Sequence, residues 1–189
     1  MDNKLDFFKN IKPLYTERLI LRRINKSDLS DVFEYASDPR TSEYLLWSPH
    51  PNVAYTKAYL QRVDKLYKSG RFYDFAITLK DTGKMIGTVG FTSADAFNSS
   101  LEIGYVLNFK YHGRGIATEA VRRIIEFGFC ELNFNRIEAK FMVENSKSRD
   151  LLRRLGFKAE GILREAVKKE GQFRSCEIYS LLKSDKNIK

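Results

Sequence analysis

A chain of 189 residues, 43% apolar and 30% charged, holds enough material for one domain with a full hydrophobic core. Its apolar runs are short and interrupted, which excludes a membrane-spanning helix, and with Asp2 at its start it lacks an apolar stretch of signal-peptide length; a cytoplasmic chain is expected. A net charge of +9 favours anionic partners without choosing among nucleic acid, a phosphorylated cofactor and a ribonucleoprotein surface, while Cys130 and Cys176 match no metal-ligand spacing and form no disulfide framework.

Residues 18–24, Arg-Leu-Ile-Leu-Arg-Arg-Ile, read as a first strand. Ser27-Asp28 opens a helix, with Asp28 and Asp31 in its first turn where the macrodipole favours acids, and Asp38-Pro39 stops it. An aromatic loop at 47–51 leads to a second helix over 52–68. A meander follows: strands at 72–79 and 85–92 about the turn Lys80-Asp81-Thr82-Gly83, then a third strand at 101–107. Ile116, Ala120, Ile124 and Phe127 recur at helical spacing and predict a long amphipathic helix over 115–131, with Cys130 a buried thiol on it. A strand at 136–143, a short helix at 146–155 and strands at 157–164 and 173–182 complete an α/β mixed sheet, antiparallel early with a β-α-β crossover in the middle.

The stretch Asn108-Phe109-Lys110-Tyr111-His112-Gly113-Arg114-Gly115-Ile116-Ala117-Thr118-Glu119-Ala120 joins a strand to that long helix. Glycines lets the backbone turn tightly and approach an anion, and the free N–H groups of a first helical turn favour phosphate. The run is neither a P-loop nor the three-glycine dinucleotide pattern. As a whole it resembles the acetyl-CoA pyrophosphate loop of the GNAT (Gcn5-related N-acetyltransferase) superfamily, Gln/Arg-x-x-Gly-x-Gly/Ala, with His112 at the first position instead of Gln or Arg. Glu17 to Arg22 is similar to the opening strand of the branch containing ribosomal-protein N-terminal acetyltransferases, and Gly83-Lys84-Met85-Ile86-Gly87 to its first hairpin. Asn145-Ser146-Lys147-Ser148, with Leu155-Gly156-Phe157, is similar to its Asn-x-x-Ser…Leu-Gly-Phe segment. The resemblance covers about residues 14–182.

That resemblance implies a single GNAT domain over 1–189, with 1–13 an N-terminal extension and 184–189 a tail. It implies a mostly antiparallel central sheet, splayed between the strands at 101–107 and 136–143 and flanked by helices. Acetyl-CoA would be held by His112, Gly113, Arg114, Gly115, Ile116, Ala117 and Thr118 at the pyrophosphate. Backbone groups of Val106 and Leu107, with Asn145 and Ser148, would hold its pantetheine arm. Asn145 reads equally as a helix N-cap. Ser148 resembles the family's proton donor to the departing thiolate, or reads as an exposed helix serine. Glu102 and Glu160 are candidates for holding the amine or the water that takes its proton, and both read equally as exposed strand carboxylates. Trp47 lines the acceptor cleft or pins a loop. His50 and His112 are too isolated for a metal site, and no metal is expected.

The implied reaction is attack of a neutral amine on the thioester through a tetrahedral intermediate. At pH 7 roughly a tenth of an α-amine with pKa about 7.8 is neutral, against about 0.04% of a lysine near 10.4. The sequence shows no strong base, which favours an α-amine on a protein or peptide, of ribosomal type by resemblance. A polyamine, an aminoglycoside or another small amine remains the alternative acceptor. A basic nucleic-acid module would need a helix-turn-helix, an RNP motif or an aromatic–basic strand face, and none is present, so direct nucleic-acid recognition is not expected. A CoA-binding protein without catalysis and a homodimer are both compatible with the sequence.

Overall fold

In the computed structural model, which describes Phe8 and residues 10–186, two short strands come first, β1 (Leu14–Tyr15) and β2 (Leu19–Arg22). Helices α1 (Leu29–Ala36), α2 (Pro39–Ser42) and α3 (Val53–Lys68) follow, then the meander β3 (Tyr73–Leu79), β4 (Met85–Asp95) and β5 (Ser100–Leu107). Helix α4 (Ile116–Glu126), strand β6 (Arg136–Met142), helix α5 (Ser146–Arg154) and the hairpin β7 (Lys158–Lys169) and β8 (Gln172–Leu182) complete the chain. The strands form one eight-stranded sheet in the order β1-β2-β3-β4-β5-β6-β8-β7. Every pair is antiparallel except β5 with β6.

Strand alternation divides the two faces of the sheet. On one, Phe75, Ile77, Val89, Phe91, Leu101 and Ile103 pack with Ile116, Ala120, Val121 and Ile124 of α4. On the other, Ala76, Met85 and Val106 meet Val32 and Tyr35 of α1 and Leu60, Val63 and Tyr67 of α3. Helix α3 starts where Asn52 Oδ1 accepts from the Tyr55 N–H at 2.9 Å, satisfying one of the first-turn donors.

The single parallel pairing is short, and this positions the site. It joins Ser100 to Arg136, Leu101 to Ile137 and Glu102 to Glu138. Beyond Glu102 strand β5 continues to Leu107 beside β4, while β6 continues beside β8 as far as Met142 opposite Cys176. The two strands therefore part, and one edge of β5 from Ile103 onward faces a gap.

Three features differ from the sequence reading. Strand β1 and the four-residue α2, whose first turn is capped by Asp38 accepting from the Arg40 N–H, were not expected. Helix α4 ends at Glu126 and passes into a π turn over Phe127–Glu131. That wider turn directs Phe127, Gly128 and Phe129 into the core and leaves Cys130 exposed rather than buried. The expected N-terminal extension lies mostly outside the described residues, yet Phe8 is fully buried, edge-on to Tyr73 with ring centroids 4.8 Å apart. The tail at 184–189 is described only to residue 186. Among the described residues no helix is long and apolar enough to cross a membrane.

Candidate active site

The loop after β5 is held at both ends. At its start the Asn108 N–H donates to Ile86 O at 2.7 Å. The Asn108 side chain accepts from the Lys110 N–H and donates to Glu34 Oε1 at 3.1 Å. Glu34 also takes Lys84 at 2.6 Å and Lys110 at 3.1 Å. Bonding to Lys84 above all holds the Glu34 carboxyl at about 2, and burial opposes this without prevailing. His112, expected to touch pyrophosphate, turns inward: its Nε2 lies 3.0 Å from Leu107 O and its ring packs on Phe109. A carbonyl partner requires the proton on Nε2, so His112 braces the loop across its own bend.

Gly113 and Gly115 follow in left-handed conformation, at φ +76° and +73°. Gly115 is the N-cap of α4, with no side chain over the helix end. Among the described residues, no hydrogen-bond acceptor meets the N–H groups of residues 113–118. Six consecutive donors at a helix N-terminus form a cradle with the chemistry of an anion site. Its outer wall is a clamp that sequence reading did not identify. Glu119, one turn into α4, accepts from Thr16 Oγ1 at 2.6 Å, the Arg18 N–H at 2.8 Å and Arg18 Nε at 2.6 Å. Arg18 Nη1 donates onward to Arg114 O at 2.9 Å. Burial works against the Glu119 charge, but these donors hold its carboxyl below the usual carboxylate range. The signal was an Arg in the first strand and an acid in the first turn of α4, neither sufficient alone to pair them across the fold.

Where β5 and β6 part, a cleft of about 580 Å³ opens under α1 and α3. Trp47, His50, Tyr55 and Tyr59 form its aromatic wall, with His50 buried and 2.9 Å from Thr56 Oγ1. Burial lowers the His50 imidazole. Val106, Asn145 and Ser148 line the gap side, and Asp74, Thr92 and Glu102 lie on the floor. Asn145 Oδ1 accepts from the Ser148 N–H at 3.1 Å, so it is the N-cap of α5 and a cleft residue at once. The Ser148 hydroxyl is left unengaged by that cap. Beside it the Tyr105 hydroxyl is buried, with no hydrogen bond of good geometry among the described residues. Burial pushes this phenol up to about 12, with Ser148 acting in the opposite direction.

The two sequence candidates for an amine-binding acid separate here. Glu102 is a floor residue, accepting from Lys140 Nζ at 2.8 Å and Thr92 Oγ1 at 2.9 Å. Glu160 is not among the residues lining the cleft. It sits exposed on β7, bound by Arg136 Nη2 at 2.6 Å and taking a bond from the Ser180 hydroxyl. These two donors, Arg136 foremost, hold its carboxyl at about 2. A folded-state value below the unfolded one stabilises the fold above the unfolded value near 4.5 and is lost as pH falls toward 2. Glu160→Gln is therefore expected to flatten the decline in melting temperature between pH 5 and 3 while acetylation at pH 7 persists, measured by thermal denaturation across that range. A melting curve with unchanged pH dependence would remove this ion pair from the account.

The acetyltransferase (GNAT) domain profile matches residues 18–158. The chain belongs to the GNAT acetyltransferases. It is an acyltransferase that depends on acetyl-CoA. It is 39% identical over 175 residues to the N-acetyltransferase p20 of Bacillus licheniformis, covering 93% of this chain and 98% of that one. The ribosomal protein uS5-alanine N-acetyltransferase of Escherichia coli is 28% identical over 180 residues, 91% of each chain. Spermidine N(1)-acetyltransferase of the same organism is 25% identical, over 82% of this chain and 81% of its own. A GNAT-family acetyltransferase structure from Bacillus anthracis superposes with a TM-score of 0.82 at 24% identity, covering 92% of this chain and 99% of that chain; it shares the fold.

Proposed function

We propose that this GNAT enzyme acetylates the α-amino group of a peptide or protein in the cytoplasm, a ribosomal protein being the acceptor type that its relatives suggest. Residues 113–118 hold the pyrophosphate of acetyl-CoA, with His112 bracing their loop; Val106, Leu107 and Asn145 hold its pantetheine arm in the gap. Ser148 gives a proton to the departing sulfur. Glu102, already neutralised by Lys140, orders the acceptor's backbone or a water on the cleft floor. Acetyl-CoA supplies the activated acyl group; the chain supplies position, exclusion of water and a route for protons.

The observation that carries the acceptor class is the extent of the cleft. Tyr44 lines both it and a second hollow of about 440 Å³, whose walls include Glu43, Glu144, Lys169 and Arg174. A chain whose terminal amine reaches the cleft floor has a charged path outward for the residues behind it, which a small amine does not need. The two floor acids and the spermidine acetyltransferase relative favour a second reading, a small polycationic amine. Incubation with acetyl-CoA and a panel of peptides, spermidine and an aminoglycoside, followed by mass spectrometry, separates the two. Acetyl on the peptide α-nitrogen is expected. Acetyl confined to lysine side chains or to the small amines overturns the α-amine reading.

A further inference from the structure

The cleft floor holds a second acid that no sequence motif marks. Asp74 on β3 stands opposite Gly90 of β4, which stands opposite Gly104 of β5, so the three occupy one row on the cleft-facing side. Both positions require glycine: a Cβ on Gly90 would meet Tyr73 O at 2.2 Å, Asp74 Cα at 2.5 Å and Asp74 Oδ1 at 2.6 Å, and one on Gly104 would meet Thr92 Cγ2 at 2.6 Å. The Asp74 carboxylate therefore lies directly against the bare backbone of residue 90. Glu34, Glu102, Glu119 and Glu160 each have a cation or several donors, but among the described residues no ion pair or side-chain hydrogen bond reaches the Asp74 carboxylate. Its fixed contact is through the backbone, where Tyr67 Oη donates to Asp74 O at 2.5 Å.

The groups that face it are phenols and distant charges. Tyr35 comes from α1, Tyr59 and Tyr67 from α3, and Arg62 from the exposed side of α3, lining the same cleft without pairing with Asp74. Across the floor are Glu102 of β5, with its charge met by Lys140 of β6, and the buried His50. A half-buried carboxylate without an ion-pair partner, in a cleft lined by Tyr35 and Tyr59, suits a cationic guest.

We propose that Asp74 binds the acceptor's ammonium group and takes its proton, making it the catalytic base of the acetyl transfer; this rests on the acetyltransferase reading above. One N–H bond of the ammonium breaks and one O–H bond forms on Asp74, freeing the nitrogen lone pair. The second proton lost by nitrogen as the amide forms balances the thiol released, and the Asp74 proton returns to solvent through the cleft mouth.

Desolvation brings the Asp74 carboxyl up to about 7. Proton transfer from an α-ammonium at about 7.8 is then uphill by only about sixfold, against about 2,500-fold from a lysine at about 10.4. The same site that anchors any ammonium thus activates an α-amine far more readily than a lysine.

The test uses the full chain with an alanine-initiated peptide and with spermidine. Asp74→Asn is expected to lower kcat/KM for the acetylated acceptor at least 100-fold at every pH and to remove the limb near pH 7, while acetyl-CoA still raises its melting temperature. Because a raised carboxyl pKa costs stability as pH climbs from the unfolded value through 7, Asp74→Asn is also expected to melt above wild type at pH 8. Wild-type kcat/KM in that variant overturns the proposal. A turnover-free arm keeps the two readings apart. The ¹³C resonance of the Asp74 carboxyl in the CoA complex should titrate near 7 and shift on adding millimolar alaninamide or spermidine. A resonance that titrates near 4, or that ignores both amines, overturns the base even if acetylation proceeds. A resonance that responds to spermidine alone overturns the α-amine acceptor and keeps the base.

Discussion

Gly115→Val is expected to abolish the rise in melting temperature that acetyl-CoA gives the wild-type protein. A ligand at about 100 times its Kd, bound only to the folded state, stabilises by about 2.7 kcal/mol. At φ +73° a β-branched residue is strained, and relief of that strain rotates Gly115 out of the N-cap of α4. Steric room does not limit the substitution, since a Cβ there meets only Arg18 Nη2 at 3.6 Å. What fails is the convergence of the N–H groups of residues 113–118. Gly83→Val is the matched control. It has φ +70° in the turn between β3 and β4, with nothing within 4 Å of an added Cβ, so it suffers similar strain away from the cradle. It should lose intrinsic stability yet keep the acetyl-CoA shift. Loss of the shift in both variants, or in neither, would show that the cradle does not bind the ligand.

Ser148→Ala is expected to lower kcat roughly tenfold to a hundredfold with little change in the KM for acetyl-CoA. The substitution is well isolated from the fold. Asn145 caps α5 through the Ser148 backbone N–H, which alanine retains, and alanine is the better helix former. Only the hydroxyl is lost, and with it the proton for the leaving sulfur. A thiolate is a tolerable leaving group, so the loss belongs at or below the usual range for a proton-transfer residue. The buried Tyr105 hydroxyl, without a hydrogen bond of good geometry among the described residues, stands nearby. The double variant Ser148→Ala/Tyr105→Phe tells whether it substitutes. Turnover equal to wild type at saturating acceptor would return Ser148 to a structural role.

The sequence determined by itself those parts of this protein that depend on neighbours along the chain. Helical spacing at Ile116, Ala120 and Ile124, the Asn145 cap, and two glycines before a helix are local signals, and each became the expected element because propensity, capping and φ are settled within a few residues. The family resemblance rested on those same local runs. It carried the splay between β5 and β6, which no periodicity revealed. The acids were legible only as acids. Glu102 and Glu160 looked alike on their strands until β5 placed one on the cleft floor and the β7–β8 hairpin brought the other to Arg136 and Ser180. His112 could not be read as a brace without the bend that returns it to Leu107 O. Asp74 carried no signal in the run Phe72-Tyr73-Asp74-Phe75. Its environment comes from tyrosines at 35, 59 and 67 and glycines at 90 and 104, on four other elements of the fold. Charge identity is written in the chain, but desolvation is a property of what the tertiary structure packs around the charge, and only the folded protein decides which carboxylate is left without a partner.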